Sequence, residues 1–382
     1  MYLERLLKLI NLKVVSYLFF AILIFWIAAR LKLYYVAGNG YIVGDWLINY
    51  QDGGFKRRGL SGSILFLIQD LTGIKLIYLV FATHMALYIY FALLIFKILY
   101  DRIISLSFFT LIISPLTFLF YYNDSGIVGR KEVILFVLFA YFIHLLSNKK
   151  LTKKKEHLIF ALLFISTFLH ELVLFYIPYF ILALYLFNNK IEFRKYLFYF
   201  LSVLVPSLII FIFGNQINEG QSLAIILDRG IEISKHNIFN FSNELLLNLQ
   251  FYDTTGHLLY VVSCLMGIIH FGYHINKECE KHFNILIYGF IGALLFSLPL
   301  FVLAVDWGRW LHIHFVLLFL ICAAVLPKAK TFLSESNIKM NIRNLAYIPL
   351  VLVLCVWALN LNVIGLHVDG FFAKVCNALL KI

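Results

Sequence analysis

Charge is scarce in this chain. Aspartate, glutamate, lysine and arginine make up 14% of its 382 residues, against roughly 25% in a soluble domain. Apolar residues make up 62%. A soluble fold of this length cannot bury that much apolar surface, so a soluble enzyme and a disordered chain are both excluded. The alternating segments of roughly 10 residues that mark a membrane β-barrel are absent too. Cysteine is sparse and scattered: Cys264, Cys279, Cys322, Cys355 and Cys376 show no C-x-x-C spacing. That gives neither a zinc site nor a disulfide framework. There is no Walker loop, no H-E-x-x-H and no G-x-S-x-G elbow, and neither an internal repeat nor a low-complexity segment.

What the chain does have is apolar runs of about 20 residues, recurring from end to end. They predict an all-α, polytopic integral membrane protein, a single transmembrane domain over 1–382. About eleven helices are expected, at 14–36, 75–98, 103–121, 133–148, 157–169, 172–187, 196–214, 258–275, 283–305, 309–327 and 345–366. The first follows Arg5, Lys8 and Lys13 without a small-residue cleavage site, and reads as a retained span. The stretch 59–72 is apolar but too short to cross. It predicts a re-entrant or interfacial helix within a first outer loop at 37–74. The run 157–187 is too long for one comfortable span and holds His170-Glu171 at its middle, which predicts two short helices meeting at that pair.

The formal charge of +12 is sorted by side. With the N-terminus in the cytoplasm, the inner segments hold 19 of the 32 cations and seven of the 20 carboxylates. The inner face then carries the whole excess, as the positive-inside rule expects, and the outer face sums to zero. No nucleic-acid partner is implied. A long hydrophilic loop at 215–257 falls outside, and connections of that length are usually functional or locally folded.

Four polar clusters fall on the outer side. The first runs from Gly44-Asp45-Trp46 through Asp52-Gly53-Gly54-Phe55-Lys56-Arg57-Arg58-Gly59. Its three consecutive cations suit a phosphate or pyrophosphate; the blander reading is a basic patch at lipid headgroups. The second is Asn123-Asp124-Ser125-Gly126 to Gly129-Arg130-Lys131-Glu132, which also reads as a polar turn between helices. The third is His170-Glu171. An ionisable pair in an apolar stretch is a functional candidate, or a polar clamp between helices. Desolvation there is expected to raise the carboxyl pKa, and the pair could serve as a general base. The fourth is Asp306-Trp307-Gly308-Arg309-Trp310. Asp306 and Arg309 share a helix face and can pair. His312 and His314, two apart, point in different directions and are not expected to share a metal. His84, His144, His270 and His274 read as ordinary helix positions.

With these clusters the chain resembles the O-antigen polymerases of bacterial surface polysaccharide, polytopic enzymes with an enlarged periplasmic loop and functional arginines on that side. The resemblance covers most of the chain in architecture. It rests on Asp52–Gly59, Gly129–Glu132, His170-Glu171 and Asp306–Arg309. It implies a glycosyltransferase in the bacterial inner membrane with its active site facing the periplasm. A glycan on undecaprenyl pyrophosphate would pass to a sugar hydroxyl of a lipid-linked repeat unit. Glu171, His170, Asp52 and Asp45 are the implied catalytic candidates. Lys56, Arg57, Arg58, Arg130, Lys131, Asp306 and Arg309 are the implied pyrophosphate- or glycan-binding ones. No cofactor or metal is required. The implied partners are the lipid-linked oligosaccharide donor and acceptor, membrane lipids and a chain-length regulator protein. In many such enzymes two key arginines lie in large periplasmic loops; here the large loop has only Arg229. Three other readings stay open: a lipid-phosphate-sugar-dependent glycosyltransferase of the GT-C type, with Asp45 and Asp52 after the first span; a lipid-linked oligosaccharide flippase or other transporter; and a membrane acyltransferase.

Overall fold

In hydrocarbon a backbone must satisfy its own N–H and C=O groups, so apolar runs of this length fold as helices. The computed structural model describes residues 11–37, 40–51, 54–214, 219–232, 254–304, 306–330, 348–358, 360–361 and 366–367. Among them, regular structure is helical apart from a two-residue antiparallel pairing of Asn360–Leu361 with Leu366–His367. The α-helices are α1 Leu12–Ala37, α2 Gly40–Leu47, α3 Gly59–Thr72, α4 Leu76–Leu99, α5 Leu106–Ile112, α6 Phe120–Asn123, α7 Glu132–Ser147 and α8 Lys153–Leu169. They continue with α9 Val173–Asn188, α10 Phe193–Phe213, α11 Glu219–Asp228, α12 Thr254–Glu278, α13 Phe283–Phe296, α14 Leu298–Leu303, α15 Trp307–Val325 and α16 Ile348–Ala358.

Among the described residues, five segments are long and apolar enough to cross a membrane: Leu12–Tyr35, Leu76–Leu99, Phe193–Phe213, His257–Glu278 and Trp307–Val325. The chain is thus a helical protein of membrane-spanning character, and the other helices fall short of that length. Large apolar side chains such as Phe25 and Phe211 stand on its outside, where lipid would cover them. The helix α15 is the axle of the bundle. Its most apolar window is 94% buried, against 22% for the peripheral Phe193–Phe213.

The run around His170 folds as two helices. His170 ends α8 in an extended conformation, with its N–H donating to the Ser166 carbonyl at 2.8 Å. α9 then returns alongside. Lys195 Nζ pairs with Glu156 Oε1 at 2.7 Å, which places the starts of α10 and α8 together. The short apolar stretch at 59–72 is α3.

The expected span at 103–121 is discontinuous. After Ile112 the chain turns through Ser114-Pro115 and resumes helix only at Phe120. Non-helical backbone at depth survives when the protein caps it. The Thr117 hydroxyl donates to the Leu111 carbonyl, Trp357 Nε1 donates to the Ile113 carbonyl at 3.0 Å, and the His312 ring meets the Leu116 carbonyl at 3.2 Å. A second break falls at Ser297, between α13 and α14, where Ser297 Oγ meets His314 Nε2 at 2.7 Å. His312 and His314 thus serve separate partners. His84, His144, His270 and His274 bond to Tyr35, Asn148, Thr110 and Ser107.

The bundle has two polar ends. At one, Arg309 near the start of α15 meets Glu132 at the start of α7. At the other, the Leu326 carbonyl just past α15 accepts Arg102 Nη1 at 2.8 Å. Asp45, Arg58, His170 and Glu171 belong to the first end.

Candidate functional site

The hairpin of α2 and α3 presents Arg58. Gly62 makes the hairpin close: its N–H donates to the Ile48 carbonyl at 3.0 Å, and a Cβ there would stand 2.3 Å from that oxygen. Arg58 caps α3 with φ 63, a left-handed conformation that costs a non-glycine residue roughly 1–2 kcal/mol. Its side-chain partners offset that cost. Nη1 donates to Asp45 Oδ1 at 3.0 Å, Nη2 to Glu171 Oε1 at 2.8 Å and Nε to Glu171 Oε2 at 3.1 Å. The Glu171 contact is the two-pronged geometry that suits a carboxylate to a guanidinium. Arg57 Nη1 reaches the same Glu171 Oε1 at 3.4 Å.

The turn before α7 supplies the next two groups. Gly129 adopts φ 84, and its carbonyl accepts Trp46 Nε1 at 2.8 Å. Lys131 Nζ then donates to Ser61 Oγ at 2.9 Å and lies 3.8 Å from Asp45 Oδ2. Glu132, 2% exposed, places Oε1 at 3.1 Å from Arg309 Nε and 3.5 Å from His170 Nε2. His170 Nδ1 lies 3.7 Å from Glu171 Oε2. Arg309 Nη2 meets Asp306 Oδ2 at 3.0 Å, and its guanidinium lies 4.3 Å from the centre of the Trp310 ring.

One chain of charge therefore runs Lys131–Asp45–Arg58–Glu171–His170–Glu132–Arg309–Asp306, with Arg57 at its side. It draws on all four sequence clusters. Lys56 and Arg130 make their described bonds elsewhere, Lys56 Nζ to Ser222 Oγ at 3.0 Å and Arg130 Nε to the Gly126 carbonyl at 3.0 Å. Asp52 lies outside the described residues. Glu132 lies in the second sequence cluster, which gives it no role of its own. Its signal was position: a carboxylate at the first residue of an apolar helix has to be buried and paired.

The charges set one another's protonation. Burial alone would raise the Asp45 pKa, but Lys131 and Arg58 outweigh it and hold the carboxyl at about 2. Burial pushes Lys131 down to about 8 against the opposing pull of Asp45. For Glu171, burial acts in the direction expected from the sequence. Arg57 and Arg58 overturn it and hold the carboxyl well below the usual carboxylate range. Asp45 and Glu171 are thus permanent anions and weak bases. His170 Nδ1, like both Glu132 oxygens, has no aligned hydrogen bond.

Beside the chain of charge opens a cleft of about 320 Å³ between α9 and α10. Leu174, Phe175, Leu204, Leu208 and Phe211 line it with Ser207, and it ends on Arg57 and Glu171. Apolar walls closing on a guanidinium fit an amphiphile with an anionic head. A second hollow of about 290 Å³, near Trp307 and Phe301, is lined by aliphatic and aromatic side chains with Cys264, so it offers no charge to a headgroup. Among the described residues, no group of three or more histidine, cysteine, aspartate or glutamate side chains is placed to hold a metal. Comparison with protein-family models, with curated proteins and with solved structures gives no match.

Proposed function

We propose that this protein is a membrane glycosyltransferase of the polysaccharide-polymerase type, working at the periplasmic face of a bacterial inner membrane. It transfers a glycan from undecaprenyl pyrophosphate to a sugar hydroxyl of a second lipid-linked repeat unit. The observation that carries this reading is the apolar cleft that ends on Arg57 and Glu171, joined to a buried line of charge that spans the site. The lipid carrier fills the cleft and its first phosphate meets Arg57, whose side chain is 27% exposed.

The chemistry follows from the charges. The acceptor oxygen forms a bond to the anomeric carbon of the donor glycan while the bond from that carbon to the pyrophosphate oxygen breaks. The leaving group departs as an anion, which Arg57 stabilises. The hydroxyl proton passes to His170, and the resulting imidazolium lies between Glu132 and Glu171. Asp45 is taken up by Arg58 and Lys131 and does not border the cleft. That favours the polymerase reading over a lipid-phosphate-sugar-dependent enzyme that uses the acid after the first span as its base.

The test is the glycan ladder of the native host carrying Arg57→Ala or His170→Ala, with membrane levels checked. Each variant is expected to collapse long chains to a single repeat on the lipid core. A normal ladder with both overturns the reading. Unpolymerised units trapped on the cytoplasmic side would support the flippase instead.

A further inference from the structure

The helix α11 belongs to the long polar loop, yet it is packed down onto the hairpin that carries Arg57 and Arg58. Ile226 is fully buried, and Ile231 nearly so, in one cluster with Trp46, Leu47 and Phe66. The chain reverses to do this. Gly230 takes φ 82, its N–H donates to the Leu227 carbonyl at 2.8 Å, and the Ile231 N–H donates to the Ile226 carbonyl at 3.2 Å. Such a left-handed glycine closes a helix and turns the next apolar residue back onto it.

Two polar ties accompany that seat. The Lys56 ammonium, 2% exposed, donates to Ser222 Oγ in the first half of α11. Just past its last residue, Arg229 grips the α2–α3 connection and the last turn of α3. Nη1 donates to Asp70 Oδ1 at 2.7 Å and to Gln69 Oε1 at 2.8 Å; Nη2 donates to Asp70 Oδ2 at 3.1 Å and to Gln51 Oε1 at 3.0 Å. The guanidinium also lies 4.3 Å from the centre of the Phe66 ring. A third tie comes from the end of α10, where the Gly214 carbonyl accepts the Arg57 N–H at 3.2 Å. The last turns of α10 are also a wall of the cleft. The residue facing the cleft is therefore held by its own amide on one side and through Lys56 on the other.

We propose that α11 is a strap that fixes the Lys56–Arg58 turn and controls access to the cleft between α9 and α10, with Arg229 as its positioning residue. The tie at Arg229 suits a strap that opens. The Asp70 side chain is 51% exposed, and exposed ion pairs weaken as salt screens them. Once the clasp is released, Ile226, Ile231 and the Lys56–Ser222 bond are left to hold the helix down, and it opens more often. The inference goes beyond the glycosyltransfer reading and does not depend on what fills the cleft.

The test reads access directly in the full chain. Ser207→Cys places a thiol on the cleft wall, in a background with Cys355→Ser and Cys376→Ser, and its rate of reaction with a maleimide is measured. Arg229→Ala is expected to raise that rate several-fold, and Ser222→Ala to raise it less. The charge swap Arg229→Asp with Asp70→Arg should return it toward wild type. Higher salt should speed labelling in the wild type and have little effect in Arg229→Ala. A thiol at Ser147→Cys, at the far end of α7 from Glu132, serves as a distant reporter and should not change. Unchanged labelling of the cleft thiol in both alanine variants overturns the strap. So does a parallel rise at both reporters, which marks general loosening, and so does failure of the charge swap to restore the rate. A normal ladder with Arg57→Ala and His170→Ala would sink the polymerase reading and leave the labelling result standing.

Discussion

The two ends of the bundle hold the same kinds of charged residue and use them differently. At the Arg102 end, cations finish helices. Lys13 Nζ donates to the Tyr100 carbonyl at 3.1 Å just past α4, and Arg102 Nη1 donates to the Leu326 carbonyl just past α15. Those carbonyls have no partner within their own helix, and a cation there also meets the negative end of the helix dipole. The one described carboxylate in the contact, Asp101, is shared by Arg102 and Lys328. At the Arg58 end, cations meet side-chain carboxylates across α2, the α2–α3 turn, α7, the α8–α9 break and α15. The first arrangement completes helices. The second joins five parts of the chain around His170 and Glu132; unfilled bonding capacity occurs at both ends, at Arg102 Nε in the first and at His170 Nδ1 and the Glu132 oxygens in the second. The first use of charge finishes helices; the second gathers charge from many elements into one place, which is why it is the candidate site.

The largest effect expected from this contrast is at Glu132. Removing it leaves Arg309 and His170 buried without their shared anion, and breaking a buried pair from one side costs roughly 3–5 kcal/mol. Glu132→Ala should lower the thermal stability of the purified protein by that order. Glu132→Gln, which keeps the volume and some bonding, should lose less stability while still disturbing the site. Equal stability of wild type and Glu132→Ala would break the comparison, because the line of charge would then not hold the bundle together.

Asp45 gives a smaller effect with a pH signature. Its folded pKa of about 2 lies below the ordinary 3.8. The stabilisation is therefore fully present above about pH 4 and is lost as pH falls through about 2. By linkage it amounts to about 2 kcal/mol at neutral pH. The stability difference between wild type and Asp45→Asn should be of that size at pH 7 and shrink toward pH 2. A difference that stays constant with pH would mean that Asp45 contributes shape and not charge.

Much of this end was legible in the sequence, because a charged residue stands out in a chain with so few. The four clusters, the fold-back at His170-Glu171, the helix at 59–72 and the Asp306–Arg309 pair could be read from local spacing. Pairing between clusters could not. Arg58 bridges two carboxylates while Arg130 bonds to its own turn, and only the folded path of α7 and α9 decides that. The direction of the Glu171 shift was misjudged for the same reason: burial is visible in an apolar run, but two arginines more than a hundred residues away are not. The break in 103–121 was hidden too. Ser114-Pro115 hints at it, but the groups that make it tolerable, Trp357 and His312, come from α16 and α15.

The smallest effect expected is at the opposite end, and it separates the two uses of charge most cleanly. Arg102→Lys keeps the positive charge near Asp101 and the ends of α4 and α15, but an ammonium on a shorter reach does not reproduce the guanidinium bond to Leu326. The loss should be about 1 kcal/mol, the net worth of one hydrogen bond, seen as a modest fall in thermal stability. Among the described residues no group of the Arg58 end bonds to Arg102, and α15, buried along nearly its whole length, lies between them. Whatever activity the protein has should therefore be unchanged once membrane levels are matched. If Arg102→Lys altered activity at matched levels, the Arg102 end would be more than a set of helix terminations, and α15 would be coupling the two ends.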